Sequence, residues 1–187
     1  MNLMISETAL HPTLAAPTGA AVDVIFHAVG ACALGQVLVA RSAAGVCAIL
    51  IGGDPDELAA DLAARFPKST LVASAPILRD DLARVIRFVD KPAEGLHLRL
   101  DMRGTPFQCR VWERLRTIRV GRTVTYTELA RWISPFASPR AVGSACAANP
   151  IALAIPCHRA VRTDGSLAGY RWGIARKREM IRREAMA

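Results

Sequence analysis

Between Asn149 and Arg159 the chain reads N-P-I-A-L-A-I-P-C-H-R, which sets one thiol, Cys157, beside one imidazole, His158. The apolar run Ile151 to Ile155 is fenced by Pro150 and Pro156. Proline has no N–H and a fixed φ, so a strand cannot continue smoothly through it. Cys157 is therefore expected on a turn at the end of a buried segment, where a side chain can be offered to a ligand. The chemistry open to the pair is nucleophilic: the thiolate attacks, and a base takes its proton. Neighbouring residues of an extended segment point to opposite sides, so His158 is expected to reach the sulfur through a water. A buried cysteine is by default an inert small hydrophobe, and an isolated Cys-His dipeptide does not displace that reading.

The elements around this segment do. Thr105-Pro106-Phe107-Gln108 has the pattern of a capping box with proline at N1, and Phe107, Val111, Leu115 and Ile118 continue it as a helical stripe. Cys109 lies off that stripe. Thr125-Tyr126-Thr127-Glu128 is a second box, opening a short helix that ends before Pro135; Ser138-Pro139 opens a third, Arg140 to about Ala148, stopped by Asn149-Pro150. Two short helices joined by a tight turn suggest a helix-turn-helix. The second of them is almost bare, since Ala141, Gly143, Ser144, Ala145, Ala147 and Ala148 carry little side chain. Reading base edges in the major groove needs long polar side chains. A slender helix suits close approach to a narrow minor groove instead. Beyond Arg159, Asp164-Gly165 marks a turn, Ser166 to Tyr170 a glycine-containing loop, and Arg176 to Arg183 a last basic helix with Glu184 near its end.

Charge separates the chain into halves. Residues 1–102 hold 8 basic and 11 acidic side chains, whereas residues 103–187 hold 16 basic and 5 acidic. Like charges this dense resist compaction unless a polyanion shares the surface, so nucleic acid is the expected partner of the second half. The five cysteines are scattered without a C-x-x-C pair. That fits free thiols in a reducing cytoplasm rather than a disulfide framework. His27, Cys32, Cys47 and His97 do not make a recognisable ligand set, so no metal is expected. No run reaches the ~18–20 apolar residues needed to span a bilayer, and no membrane association is expected.

In the first half, Val22–Val29, Gly35–Arg41 and Val46–Ile51 read as an antiparallel meander. Asp54-Pro55-Asp56-Glu57 starts a helix with Asp54 as N-cap and Glu57 reaching back, and Leu58, Leu62 and Phe66 form its stripe. A strand at Ser69–Ala73, a helix over Pro76–Val89 and an alternating strand through Leu96, Leu98 and Leu100 complete a small α/β domain. No chemistry is visible in it. Residues 1–21 lack the basic end and apolar block of a secretion signal and are expected to be a weakly ordered leader. The domains are then 22–102, α/β, and 103–187, mainly helical.

Arg140-Ala-Val-Gly, Asn149-Pro150 and Ile155-Pro156-Cys157-His158-Arg159 together resemble the active-site signature of the O6-alkylguanine-DNA alkyltransferases, the methylated-DNA–protein-cysteine methyltransferases. The resemblance runs without a gap from about Arg103 to Glu184. It extends more loosely to Val22, most closely to the alkyltransferase half of the bacterial Ada regulator. It implies an RNase H-like first domain and a helix-turn-helix that docks in the minor groove through Ala141, Ser144 and Ala145. It further implies single-turnover, irreversible transfer of an alkyl group from O6-alkylguanine in double-stranded DNA to Cys157, by a monomer without a cofactor. In that scheme Glu184 orients His158 as a water-mediated base and Asn149 orients the active-site loop. Arg140 fills the stack left by the extruded nucleotide, and Tyr126 presses on the phosphate. Pro156, Ser166, Leu167, Gly169 and Tyr170 line the base pocket. The turn Ser134–Pro139 departs from the family's usual glycine and basic or small residue. Three rival readings are a Cys-His hydrolase of esters or amides, a lesion-binding protein without transfer activity, and a full transcriptional regulator. The first leaves the bare helix and the basic half unexplained, the second lacks a reactive cysteine, and the third needs additional domains.

Overall fold

The computed structural model describes residues 22–187; the leader expected over residues 1–21 lies outside the described residues. Strands β1 (Val24–Cys32), β2 (Gly35–Arg41) and β3 (Val46–Gly52) form the expected antiparallel meander, and β4 (Thr70–Ala73) adds parallel to β1, giving the order β3-β2-β1-β4. Both faces are covered, so β2 and β3 are buried nearly throughout, as their Val, Leu and Ile content requires. Helix α1 (Pro55–Arg65) lies against β2 and β3, and α2 (Ala75–Asp90) against β1 and β2. Asp54 caps α1 by accepting from Asp56 N at 2.7 Å. Glu57 makes no return bond among the described residues, so the reciprocal half of that cap does not form.

The strand expected through Leu96, Leu98 and Leu100 is absent. After a single 3₁₀ turn (Pro92–Glu94) the chain runs irregularly, and only Leu100 bridges, to Val46. The inward alternation of the three leucines survives without ladder pairing. The outer edge of β3 is shared by two segments. Val46 N donates to Arg99 O and Val46 O accepts from Asp101 N, while Ile49 N donates to Pro150 O at 2.9 Å and Ile49 O accepts from Ala152 N at 3.0 Å. Because the Val46–Leu100 bridge is parallel, Leu98 and Leu96 would fall opposite Ala44 and Ser42, in the turn that precedes β3, where there is no strand to pair with. Gly45 allows the first approach: its φ is +151°, and a Cβ there would stand 2.6 Å from Arg99 O.

The remaining elements are mainly helical. Helix α3 (Pro106–Arg116) and α4 (Tyr126–Ile133) each open with the expected reciprocal capping box, on Thr105–Gln108 and Thr125–Glu128. Helix α5 (Pro139–Ala148) begins with Ser138 accepting from Ala141 N. The three helices touch one another in pairs. The Trp112 indole, fully buried on α3, donates to Ala145 O of α5 at 2.9 Å. A short parallel pair, β5 (Val124–Thr125) with β6 (Ala160–Val161), ties the start of α4 to the chain just beyond the Cys-His pair. Helix α6 (Ile174–Ala185) closes the fold. The molecule thus combines an α/β part with a helical part. No helix among the described residues is long and apolar enough to cross a membrane.

Candidate functional site

The segment from Asn149 to Arg159 leaves α5, borrows the edge of β3, and returns through a tight bend. Leu153 sits at φ +67°, an uncommon conformation for a side chain of its size. Asn149 holds the bend together. Its Oδ1 accepts from Ile151 N at 2.9 Å, and its Nδ2 donates to Ile155 O at 2.9 Å and faces Cys157 Sγ at 3.4 Å. Its backbone N–H also closes α5 on Cys146 O, so it serves as helix cap and loop clamp together.

Cys157 stands on a turn as expected, but His158 does not follow it in an extended segment: Cys157, His158 and Arg159 form one 3₁₀ turn. Three residues per turn fan successive side chains about a third of a circle apart. Sulfur and imidazole therefore still find different partners. His158 Nε2 lies 2.8 Å from Glu184 Oε1, with the ring fully buried. Arg159 grips the same carboxylate with two bonds, Nε to Oε2 and Nη2 to Oε1, both 2.8 Å, and also donates to Ile118 O. Burial alone would raise the Glu184 carboxyl, but the bonds from His158 and Arg159 bring it down to about 2. Burial pushes the His158 ring below the usual histidine range, so the permanent charge of Arg159, not an imidazolium, keeps Glu184 ionised. An ionised Glu184 accepts from Nε2–H, which leaves Nδ1 as the basic nitrogen. That atom is buried and has no hydrogen-bond partner among the described residues.

Burial raises the Cys157 thiol to about 11, against the opposing pull of the Asn149 amide and of Lys177. Lys177 was not anticipated from sequence. It is fully buried on the inner face of α6, gives Nζ to Ala160 O at 2.6 Å, lies 3.4 Å from the Tyr126 hydroxyl, and stands over the rings of Tyr126 and Tyr170 at 5.6 and 5.9 Å. The cost of burying it lowers its pKa. The signal that could have found it is its spacing to Met180 and Glu184, i, i+3, i+7, which places all three on one helix face. The clamping role of Arg159 was likewise unread.

Beside this buried cluster a concavity of about 490 Å³ opens to solvent, bringing together Tyr126, Arg140, Ser144 and Gly169 with Thr163 and Arg162, the latter another residue sequence reading passed over. Cys157, only 3% exposed, does not line it. Ala141 is half-buried and Ser144 exposed on the outer face of α5, but Ala145 is not available to a partner: it is buried and turned to Trp112 of α3. The outward side of α5 is set by Arg140, Ser144 and Ala147; Ala141 stands at its rim, and Ala145, one residue and about 100° round from Ser144, has passed over to the side that holds the buried Val142 and Cys146. The expected pocket lining also divides. Pro156 is buried and borders a different cavity of about 290 Å³, with Leu153, Arg116 and Arg119. Ser166 and Leu167 do not line the concavity, because Ser166 is spent on the Asp164 turn. Tyr170 packs edge-on against Trp172 at 5.1 Å with its hydroxyl buried; burial raises its pKa, and Cys157 and Glu184 nearby add to the rise. Among the described residues no group of three or more His, Cys, Asp or Glu could hold a metal ion.

An α/β part whose edge strand braces a buried, clamped thiol in a basic helical part defines a class of thiol-bearing proteins with a basic surface beside the thiol. Residues 106–186 match the family model described as 6-O-methylguanine DNA methyltransferase, DNA binding domain. The chain is 46% identical over 159 residues to the bifunctional transcriptional activator/DNA repair enzyme Ada of Escherichia coli, covering 85% of this chain and 45% of that one. It is 35% identical to the inducible methylated-DNA–protein-cysteine methyltransferase of Bacillus subtilis, covering 66% of this chain and 69% of that one. The crystal structure of Mycobacterium tuberculosis OGT in complex with DNA superposes with a TM-score of 0.65 at 28% identity, covering 87% of this chain and 93% of that one. The chain belongs to the methylated-DNA–protein-cysteine methyltransferase family. It spans less than half the length of the Ada proteins that it matches.

Proposed function

We propose that this chain repairs double-stranded DNA by taking the alkyl group of O6-alkylguanine onto Cys157, once per molecule and without a cofactor. The observation that carries this reading is the Asn149–Cys157 and His158–Glu184–Arg159 cluster, buried next to a concavity rimmed by Tyr126 and Arg140. In the reaction the Sγ–carbon bond forms as the carbon–O6 bond breaks. The thiol proton passes to His158 Nδ1, through a water, and ends on the released guanine. Glu184 holds the tautomer that makes Nδ1 basic, and Lys177 offers the developing thiolate a positive charge. A thioether has no good leaving group, so the protein stops there.

The O6 atom is engaged in pairing within a duplex, and the nucleotide has to be extruded at a cost of a few kcal/mol. Arg140 fills the stack and Tyr126 turns the phosphate, with α4 and α5 acting as a helix-turn-helix whose slender second member enters the minor groove at Ala141 and Ser144. The α/β part is RNase H-like, with the boundary at 102/103, and the protein works as a cytoplasmic monomer.

Incubation with a duplex holding one O6-methylguanine should add about 14 mass units, a methyl replacing a proton, localised to Cys157. Cys157→Ala should gain nothing yet still bind the duplex. Methyl on Cys146 or Cys109, or product released over many cycles, sinks the mechanism. Binding to undamaged DNA should show little sequence preference. With about four phosphates neutralised, it should weaken roughly a hundredfold between 50 and 200 mM salt. Competition among unrelated duplexes checks this, and strong discrimination would mean that α5 reads base edges.

A further inference from the structure

The turn between α4 and α5 carries a side chain that the fold leaves wholly unused. Phe136 is 96% exposed, more than any other large hydrophobic among the described residues. The turn that presents it is well ordered by its own bonds. Ser134 Oγ accepts from Phe136 N at 3.2 Å, Ser134 O from Ala137 N at 3.0 Å, and Ser138 Oγ from Ala141 N at 3.1 Å. Pro135 and Pro139 fix φ on either side of it. The backbone that carries the ring is thus fixed by its own bonds. Arg140 lies four positions further along the chain, so the two Cα atoms lie within about 14 Å, roughly four base-pair steps at 3.4 Å each.

The surroundings favour DNA as the occupant. No Asp or Glu occurs between Glu128 and Asp164, while Arg131, Arg140 and Arg162 are exposed within that stretch. A protein partner would call for a contiguous apolar patch. The residues flanking Phe136 are Ser134, Pro135, Ala137 and Ser138, and nearby Trp132, 44% exposed, carries the Arg114 guanidinium on its ring at 5.1 Å, so that a cation rather than further apolar surface stands there. One flat apolar ring amid cations matches the wedges that minor-groove proteins push between base pairs, partly unstacking and kinking the duplex.

We propose that Phe136 is a second deforming side chain, which enters the minor groove within about four steps of the nucleotide displaced by Arg140. The inference rests on the DNA-repair reading above. A wedge acts by bending, so it creates sequence dependence without touching a base edge. Flexible TA or CA/TG steps at its point of entry yield readily, and stiff A-tracts do not. Lesions flanked there by flexible steps are therefore repaired faster.

The test is single-turnover methyl transfer at saturating protein, using duplexes with one O6-methylguanine flanked by TA steps or by an A-tract, with free O6-benzylguanine as control. Wild type should favour the TA flank. Phe136→Ala should lose about tenfold on the TA duplex, from loss of a wedge acting in the transition state, and with it the flank preference. Phe136→Leu should keep most of both, and all three proteins should react equally with the free base. Equal rates for wild type and Phe136→Ala on both duplexes overturn the proposal. So does equal slowing on the free base, which would make Phe136 a support of the pocket, and so does a change in sedimentation, which would make it a self-association contact. Absence of transfer from any duplex by wild type would instead sink the repair reading itself.

Discussion

Glu184→Gln is expected to slow methyl transfer and also to destabilise the fold by about 3–5 kcal/mol, the usual cost of breaking a buried ion pair from one side. Both neighbours of the carboxylate are donors in the resting tautomer, so the new amide NH₂ must point at one of them. Arg159 would keep its charge, almost fully buried, with nothing opposite it. Adding Arg159→Met removes that charge and should recover much of the stability, since apolar replacement of a buried pair is often neutral or better. It should not recover transfer, because His158 still lacks the carboxylate that fixes its tautomer. Urea unfolding together with single-turnover rates across pH separates the two effects. A pH–rate profile for folded Glu184→Gln identical to wild type would remove Glu184 from the mechanism. The same group predicts acid lability. Its carboxyl is near 2 in the folded chain against an ordinary 4.5. A depressed folded value gives stability that is complete above the unfolded pKa and is lost as pH falls through the folded one. Wild type should therefore lose this share of its stability between about pH 4.5 and 2, and Glu184→Gln should have no such share to lose.

Arg140→Ala should slow repair of duplex DNA by roughly one to three powers of ten, bounded by the unstacking cost of a few kcal/mol. Its effect on reaction with free O6-benzylguanine should be far smaller. Arg140 is exposed in the first turn of α5, borders the concavity, and makes no hydrogen bond or ion pair among the described residues, so it is free to leave for a duplex. Filling the space of an extruded base helps only when there is a stack to fill. Loss of a mere phosphate contact would weaken binding, and saturating protein would restore the rate. Equal slowing on duplex and free base, measured in single turnover, would mean that Arg140 supports the pocket instead.

Much of the helical part was legible because its rules are local. Thr105–Gln108 and Thr125–Glu128 announce their helices within four residues, and both capping boxes form as read. Pro150 and Pro156 place Cys157 on a turn for the same kind of reason, a missing N–H and a fixed φ. The Cys-His pair, Asn149 and Glu184 could be named together only through the resemblance. Glu184 lies 26 residues from His158, a distance no local pattern spans.

What tertiary structure alone decided is where each side chain's other surface goes. Nothing in the alternation of Leu96, Leu98 and Leu100 reveals that the segment meets β3 in parallel at its first residue, so that Leu96 and Leu98 fall beside the Ser42–Gly45 turn and find no strand to pair with. Ala145 is as small as Ala141, yet one is shut against Trp112 while the other reaches the outer half of α5. Nothing local marks Lys177 or Arg159 for the interior, because a buried charge is costly unless something answers it. The answering groups, Ala160 O for one and the Glu184 carboxylate for the other, are distant in sequence and meet them only when α6 closes over the Cys157 turn. Sequence carries the propensities and charges of each segment; desolvation and pairing depend on what lies opposite, and that is set by packing of the whole chain.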